Sequence, residues 1–151
     1  KLGFQCRMLT DCLDCEAREA GRFLASIARS HQQTERPLAF FAGGETVVHL
    51  TGQGLGGRNQ ELALAAAPGL RGTQNTAVCS FGSDGTDGPT DAAGGFVDQS
   101  SDAALRAAGL DVPQVLAKND AYHALQKIGG LLMTGPTGTN VNDLAMVLIW
   151  R

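Results

Sequence analysis

Three glycine-rich stretches carry most of the residues in this chain whose types suit chemistry. They are 52–59 (Gly-Gln-Gly-Leu-Gly-Gly-Arg-Asn), 82–94 (Gly-Ser-Asp-Gly-Thr-Asp-Gly-Pro-Thr-Asp-Ala-Ala-Gly) and 135–143 (Gly-Pro-Thr-Gly-Thr-Asn-Val-Asn-Asp). Arg58 is the residue for a two-pronged grip on a carboxylate or phosphate. Asp84 and Asp87 can accept a hydroxyl proton, and Asp91 is a candidate Mg²⁺ ligand. Gly56, Gly57, Asn59, Thr86, Thr90, Thr137, Thr139 and Asn140 supply backbone N–H groups, hydroxyls and amides for oxyanions. Such a set fits a small anionic substrate or phosphoryl transfer, where positioning and charge stabilisation do most of the work.

Each residue has a plainer reading. Aspartates in such loops form Asx turns with their own backbone, and this reading weighs equally for Asp87 and Asp91. Glu61 reads as a first-turn carboxylate favoured by the helix dipole. Arg58 does not share that explanation, because a cation at a helix start opposes the dipole, so it reads as functional. His49 and His123 fall within a strand pattern and a helix pattern and read as structural. Cys12-Leu-Asp-Cys15 is a bare C-x-x-C, a weak redox signal. A zinc site would need a second pair at ligand spacing, which the scattered Cys6, Cys79 and three histidines do not supply. The dithiol is expected to stay reduced, in a cytoplasmic or mitochondrial compartment.

The loops need elements to position them. Residues 4–9 form a strand candidate, and 10–14 a turn with Asp14 as helix cap. Residues 15–31 place Ala17, Ala20, Leu24, Ile27 and Ala28 on one helical face. The run 38–42 is apolar throughout, as in a strand covered on both faces. Gly43-Gly44-Glu45 is expected to turn the chain back into a β-branched strand at 46–50, making an antiparallel hairpin. The Ala/Leu-rich segment 58–67 is helical by propensity and stops at Pro68-Gly69. The glycine loop leading into it has the form of an anion cradle at a helix N-terminus. Strands are expected at 76–81, 95–97, 131–134 and 144–150, and helical segments at 101–108, 112–116 and, capped by Asn119 or Asp120, up to Ile128. The alternation predicts one α/β domain over residues 1–151, with a mixed, mostly parallel sheet, helices on both faces and at least one antiparallel hairpin.

Composition narrows the function classes. At 151 residues the chain suits one domain, and its net charge of −3 leaves no basic footprint for nucleic acid. No apolar run approaches the length of a membrane span. The start, Lys1-Leu-Gly-Phe without an initiating Met, is expected to be internal to a longer polypeptide. There is no Walker A run, no dinucleotide fingerprint, no G-x-S-x-G elbow and no H-E-x-x-H motif.

Four ordered motifs go further: Gly-Gly-Glu-Thr at 43–46, Gly-x-Gly-x-Gly-Gly-Arg-Asn-Gln-Glu at 52–61, 83–94 as above, and Thr-Gly-Pro-Thr-Gly-Thr-Asn-Val-Asn-Asp at 134–143. Together they resemble the C-terminal, so-called MOFRL domain of class II glycerate kinases, the glycerate 2-kinases, over nearly the whole chain. Ser83 departs from the family's usual Ala, and Cys12 and Cys15 lie outside its pattern. The resemblance implies ATP- and Mg²⁺-dependent phosphorylation of D-glycerate to 2-phosphoglycerate. It also implies an active site shared with an N-terminal domain that supplies an essential Lys and much of the nucleotide contact. Arg58 matches the motif arginine. The rival readings are a non-catalytic small-anion binding or interaction module and a hydroxypyruvate reductase.

Overall fold

The computed structural model describes residues 2–151. The six strands are β1 (Gln5–Leu13), β2 (Leu38–Gly44), β3 (Thr76–Gly82), β4 (Gly94–Asp98), β5 (Leu131–Leu132) and β6 (Asp143–Ile149). The five helices are α1 (Ala17–Ser30), α2 (Arg58–Ala66), α3 (Ser101–Ala107), α4 (Val112–Ala117) and α5 (Ala121–Lys127), and a 3-10 turn at Ala67–Leu70 extends α2. The strands form one sheet in the order β1-β2-β6-β3-β4-β5.

The sheet is mixed but mostly antiparallel, which corrects the expectation of mostly parallel pairing. Only β1 and β2 run parallel, joined by the crossover through α1. The last strand, β6, inserts between β2 and β3 and is antiparallel to both. Alternating strand and helix patterns cannot reveal that the final strand returns to the centre. Nor do the helices cover both faces. All five bury side chains in one cluster with Phe40, Val147, Val78 and Val97, the inward positions of β2, β6, β3 and β4.

The predicted hairpin at 38–50 does not form. Gly43 and Gly44 continue β2, pairing with Leu144 and Asp143. Gly44 has φ 144°, and a Cβ there would collide with the backbone of Leu13. The chain can therefore leave the sheet beside Leu13 instead of folding back. Residues 45–47 then follow residues 13–17, through Glu45 N–H to Leu13 O (2.8 Å), Val47 N–H to Cys15 O (3.1 Å) and Ala17 N–H to Val47 O (2.9 Å). The β-branched run is satisfied by an isolated parallel bridge, not by a strand. The turn predicted at 10–14 is likewise absorbed by β1, which runs to Leu13.

The centre of the helical layer is α2. Every residue of it after Arg58 is buried, and it packs against α1, α4, α5, β3 and β4. Fully burying side chains such as Leu62 and Leu64 stabilises by about 1.5–3 kcal/mol each. That burial fixes the position of the helix's first turn, where Arg58 sits.

Candidate functional site

The three loops meet at one rim of the sheet. The ends of β2 and β3 lie on either side of the start of β6, with Gly44 and Gly82 both paired to Asp143. The loop 135–143 closes over the loop after β3: Val141 N–H donates to Ser83 Oγ (2.8 Å), Ser83 N–H to Asn142 O (3.1 Å), and Thr137 N–H to Asp84 O (3.1 Å). The loop 52–59 meets the same segment at Asp87 and Gly88.

Arg58 stands where they converge. Its Nε and Nη2 donate to the two oxygens of Asp143 (2.5 and 3.1 Å), and its Nη1 donates to Glu45 Oε1 (2.6 Å). The Asp143 side chain is 10% exposed and that of Glu45 57% exposed, so one partner is fixed and the other is at the surface. The bond and charge of Asp143 hold the guanidinium above its ordinary pKa, against the opposing effect of burial. Beside it opens a cleft of about 680 Å³, bordered by Glu45, Val47, Gly57, Arg58, Glu61 and Asn119. The sequence reading left Glu45 to a turn and gave Asp143 no specific role. The signal was the single motif arginine, which needs an acidic partner to hold it in one orientation.

The expected anion cradle at the start of α2 is filled by the protein itself. Asp87 is 3% exposed, and its carboxylate accepts N–H bonds from Asn59 (3.1 Å) and Gln60 (2.8 Å), with Asn59 Nδ2 at 3.2 Å. These are the free donors of a helix N-terminus, capped from a distant loop. A Cβ on Gly57 would overlap that carboxylate, which is why the loop is glycine there. Burial pushes Asp87 up to about 6, although the N–H bonds pull the other way.

The rest of this first turn is also committed. Asn59 Oδ1 accepts from Ser80 Oγ (2.5 Å), and Gln60 Nε2 donates to Thr90 Oγ1 (2.8 Å). Glu61 is buried, not a surface dipole partner. It accepts from Arg18 Nε (3.2 Å) and Asn119 Nδ2 (3.2 Å), and burial raises its pKa against those bonds. Asn119 Oδ1 in turn accepts the N–H groups of Thr51 (2.7 Å) and Gly52 (2.8 Å), tying the glycine loop to the base of α5.

The other predicted residues divide by what they already hold. Asp84 lies beside Gly82 on the side of Asp143, is half-buried, and accepts from Thr86 N–H (2.9 Å) and Oγ1 (3.0 Å), which hold it below the usual carboxylate range. The hydroxyls of Thr86, Thr90 and Thr137 donate within the loops, to Asp84, to Asp87 O and to Ser83 O. Thr139 Oγ1 and Asn140 Nδ2 make no hydrogen bond among the described residues and face solvent. Gly56 lies beside Gly88 on the cleft wall. Asp91 lies apart, accepting from Tyr122 Oη (2.8 Å) beside α5. Among the described residues no three His, Cys, Asp or Glu side chains are grouped to hold a metal. Among the described residues no helix is long and apolar enough to cross a membrane.

The chain is 59% identical over 151 residues to D-glycerate 2-kinase of Thermotoga maritima, covering 97% of this chain and 36% of that protein. It is 45% identical to glycerate 2-kinase of Pyrococcus horikoshii, covering 99% of this chain and 35% of that protein. A crystal structure of the Thermotoga maritima glycerate kinase superposes with a TM-score of 0.92, over 97% of this chain and 36% of that one. The chain thus spans about a third of the length of these relatives. Residues 38–143, which hold all three loops and both acidic partners of Arg58, match the MOFRL family, and the chain belongs to that family.

Proposed function

We propose that this chain forms the Arg58-bearing wall of a glycerate 2-kinase active site. The site would lie within a longer polypeptide that phosphorylates the 2-hydroxyl of D-glycerate with ATP. The observation that carries this reading is a guanidinium fixed by Asp143 where three loops converge, open to a cleft on its Glu45 side.

In this reading the exposed Glu45 gives way to an incoming anion while Asp143 keeps the guanidinium plane in place. Arg58 then grips the substrate carboxylate or the transferring phosphoryl group, as a preorganised donor in a site it shares with the rest of the polypeptide. The bond from glycerate O2 to phosphorus forms as the bond to ADP breaks, and the hydroxyl proton leaves to an acceptor. Asp84, ionised and half-buried on the same rim, is the acceptor assigned here. Thr139 and Asn140 offer uncommitted donors to phosphate oxygens. Asp87, Asn59, Thr90 and Gly57 act indirectly, by building the N-terminus that carries Arg58.

The test is a polypeptide of the relatives' length that carries this chain, incubated with ATP and D-glycerate and followed by ³¹P NMR. The reading predicts 2-phosphoglycerate and ADP in equal amounts. Reduction of hydroxypyruvate by a nicotinamide cofactor, with no ATP turnover, would overturn it.

A further inference from the structure

The sheet has one face that the helices leave bare, and its side chains are those of a buried face. An antiparallel sheet open to water on one side shows polar residues at alternate positions. Here the outward positions are the half-buried Phe41 on β2 and Leu144, Met146 and Leu148 on β6, with the small Ala39 on β2 and Cys79 on β3 buried between them. Phe96 continues the row on β4 and is 37% exposed. At the β1 side the face is hollowed into a groove of about 620 Å³ between Phe4, Cys6, Phe41 and Met146. No charged side chain borders that groove. A contiguous apolar surface of this kind marks an interaction site.

β1 says what kind of partner covers it. It is a nine-residue edge strand with no buried residue on either side. On the bare face it presents Cys6 and Met8, the latter 65% exposed. On the helix face it presents Gln5 and Arg7, beyond the reach of the helical layer. Its outer edge has no strand partner among the described residues. A second copy packed sheet to sheet would cover one side of β1 and leave the other side and the edge open. A larger body seated across the edge covers all three. The relatives have enough further chain for such a body, since this chain accounts for only 36% of the Thermotoga maritima protein.

We propose that the bare sheet face and β1 are the docking surface for the remainder of a longer polypeptide, the two-thirds of the relatives that this chain does not span. The inference rests on the chain working within a longer polypeptide, not on the reaction that polypeptide performs. It means that this sheet face, besides the rim, is an interdomain contact.

Cys6 is a built-in probe. In a Cys12→Ser, Cys15→Ser background it is the one exposed thiol among the described residues. Its maleimide labelling is compared in this chain alone and in a chimera where the chain replaces the matching part of the Thermotoga maritima protein. The proposal predicts labelling at least tenfold slower in the chimera. It also predicts that Met8→Lys leaves the melting temperature of the isolated chain unchanged and lowers that of the chimera by several degrees. Equal labelling, or a chimera indifferent to Met8→Lys, would overturn it. So would a dimer of the isolated chain whose Cys6 becomes protected as concentration rises, since that places a second copy on the face. None of these readouts uses catalysis, so they stand apart from the kinase assay.

Discussion

At the scale of the residue, the structure holds Arg58 between Asp143 and Glu45 and buries one of the loop aspartates, Asp87. A lone cation in a glycine-rich loop, placed against the helix dipole, is legible because its own helix gives it no stabilising role. Asp87 is not legible in the same way. Its carboxylate looks like any loop aspartate until folding brings it to the N-terminus of a helix 27 residues away. Its role has a pH signature. Asp87 is raised to about 6 in the fold, above the ordinary value near 3.9. The protonated form therefore favours the folded state: its contribution is complete below about pH 4 and is lost as pH rises through about 6. Asp87→Asn removes this titration. The difference in melting temperature between the parent and Asp87→Asn should be most favourable to the parent near pH 4 and should shrink by pH 7. The change should be on the order of 2–3 kcal/mol. A difference that stays flat from pH 4 to pH 7 would remove the buried carboxylate from the account.

At the scale of the element, α2 was read correctly as a helix but not as the centre of the layer. The Ala/Leu run gives its extent, while Glu61 reads as a first-turn carboxylate favoured by the dipole. The structure buries that turn and pairs it with Ser80, Thr90, Asp87, Arg18 and Asn119, partners that come from four separate places in the chain. Spacing within one helix cannot reveal such partners. The segment 45–50 shows the opposite failure, because a β-branched run following two glycines mimics a hairpin strand. The sheet instead gave that place to β6. Because the turn depends on a glycine packed against Asp87, Gly57→Ala should destabilise the fold by about 1–3 kcal/mol, the usual cost of overpacking. Urea unfolding checks this, and a variant as stable as the parent would mean that the loop moves aside without loss.

At the scale of the whole molecule, the chain is a two-layer unit whose rim gathers a charged site and whose sheet back is bare. The convergence of the loops was legible because each follows a strand candidate, although the one before 52–59 does not form. The layer count was not, because apolar strands announce cover on both faces without saying which chain supplies it. A site built of one guanidinium, exposed hydroxyls and one open carboxylate lacks groups on the far side of a transferred phosphate. The isolated 151-residue chain should therefore bring about no glycerate-dependent ATP turnover, and full turnover by it would contradict a shared site. The most direct test of the central claim is Arg58→Ala in the longer polypeptide, assayed by coupled ATP turnover with D-glycerate beside a melting curve. Losing one preorganised donor should lower kcat/KM by roughly 10²–10³-fold. The fold should lose about 1–3 kcal/mol, because the mostly buried Asp143 is left without its partner, while the exposed Glu45 is screened by solvent. Wild-type kinetics in a stable Arg58→Ala protein would contradict the account.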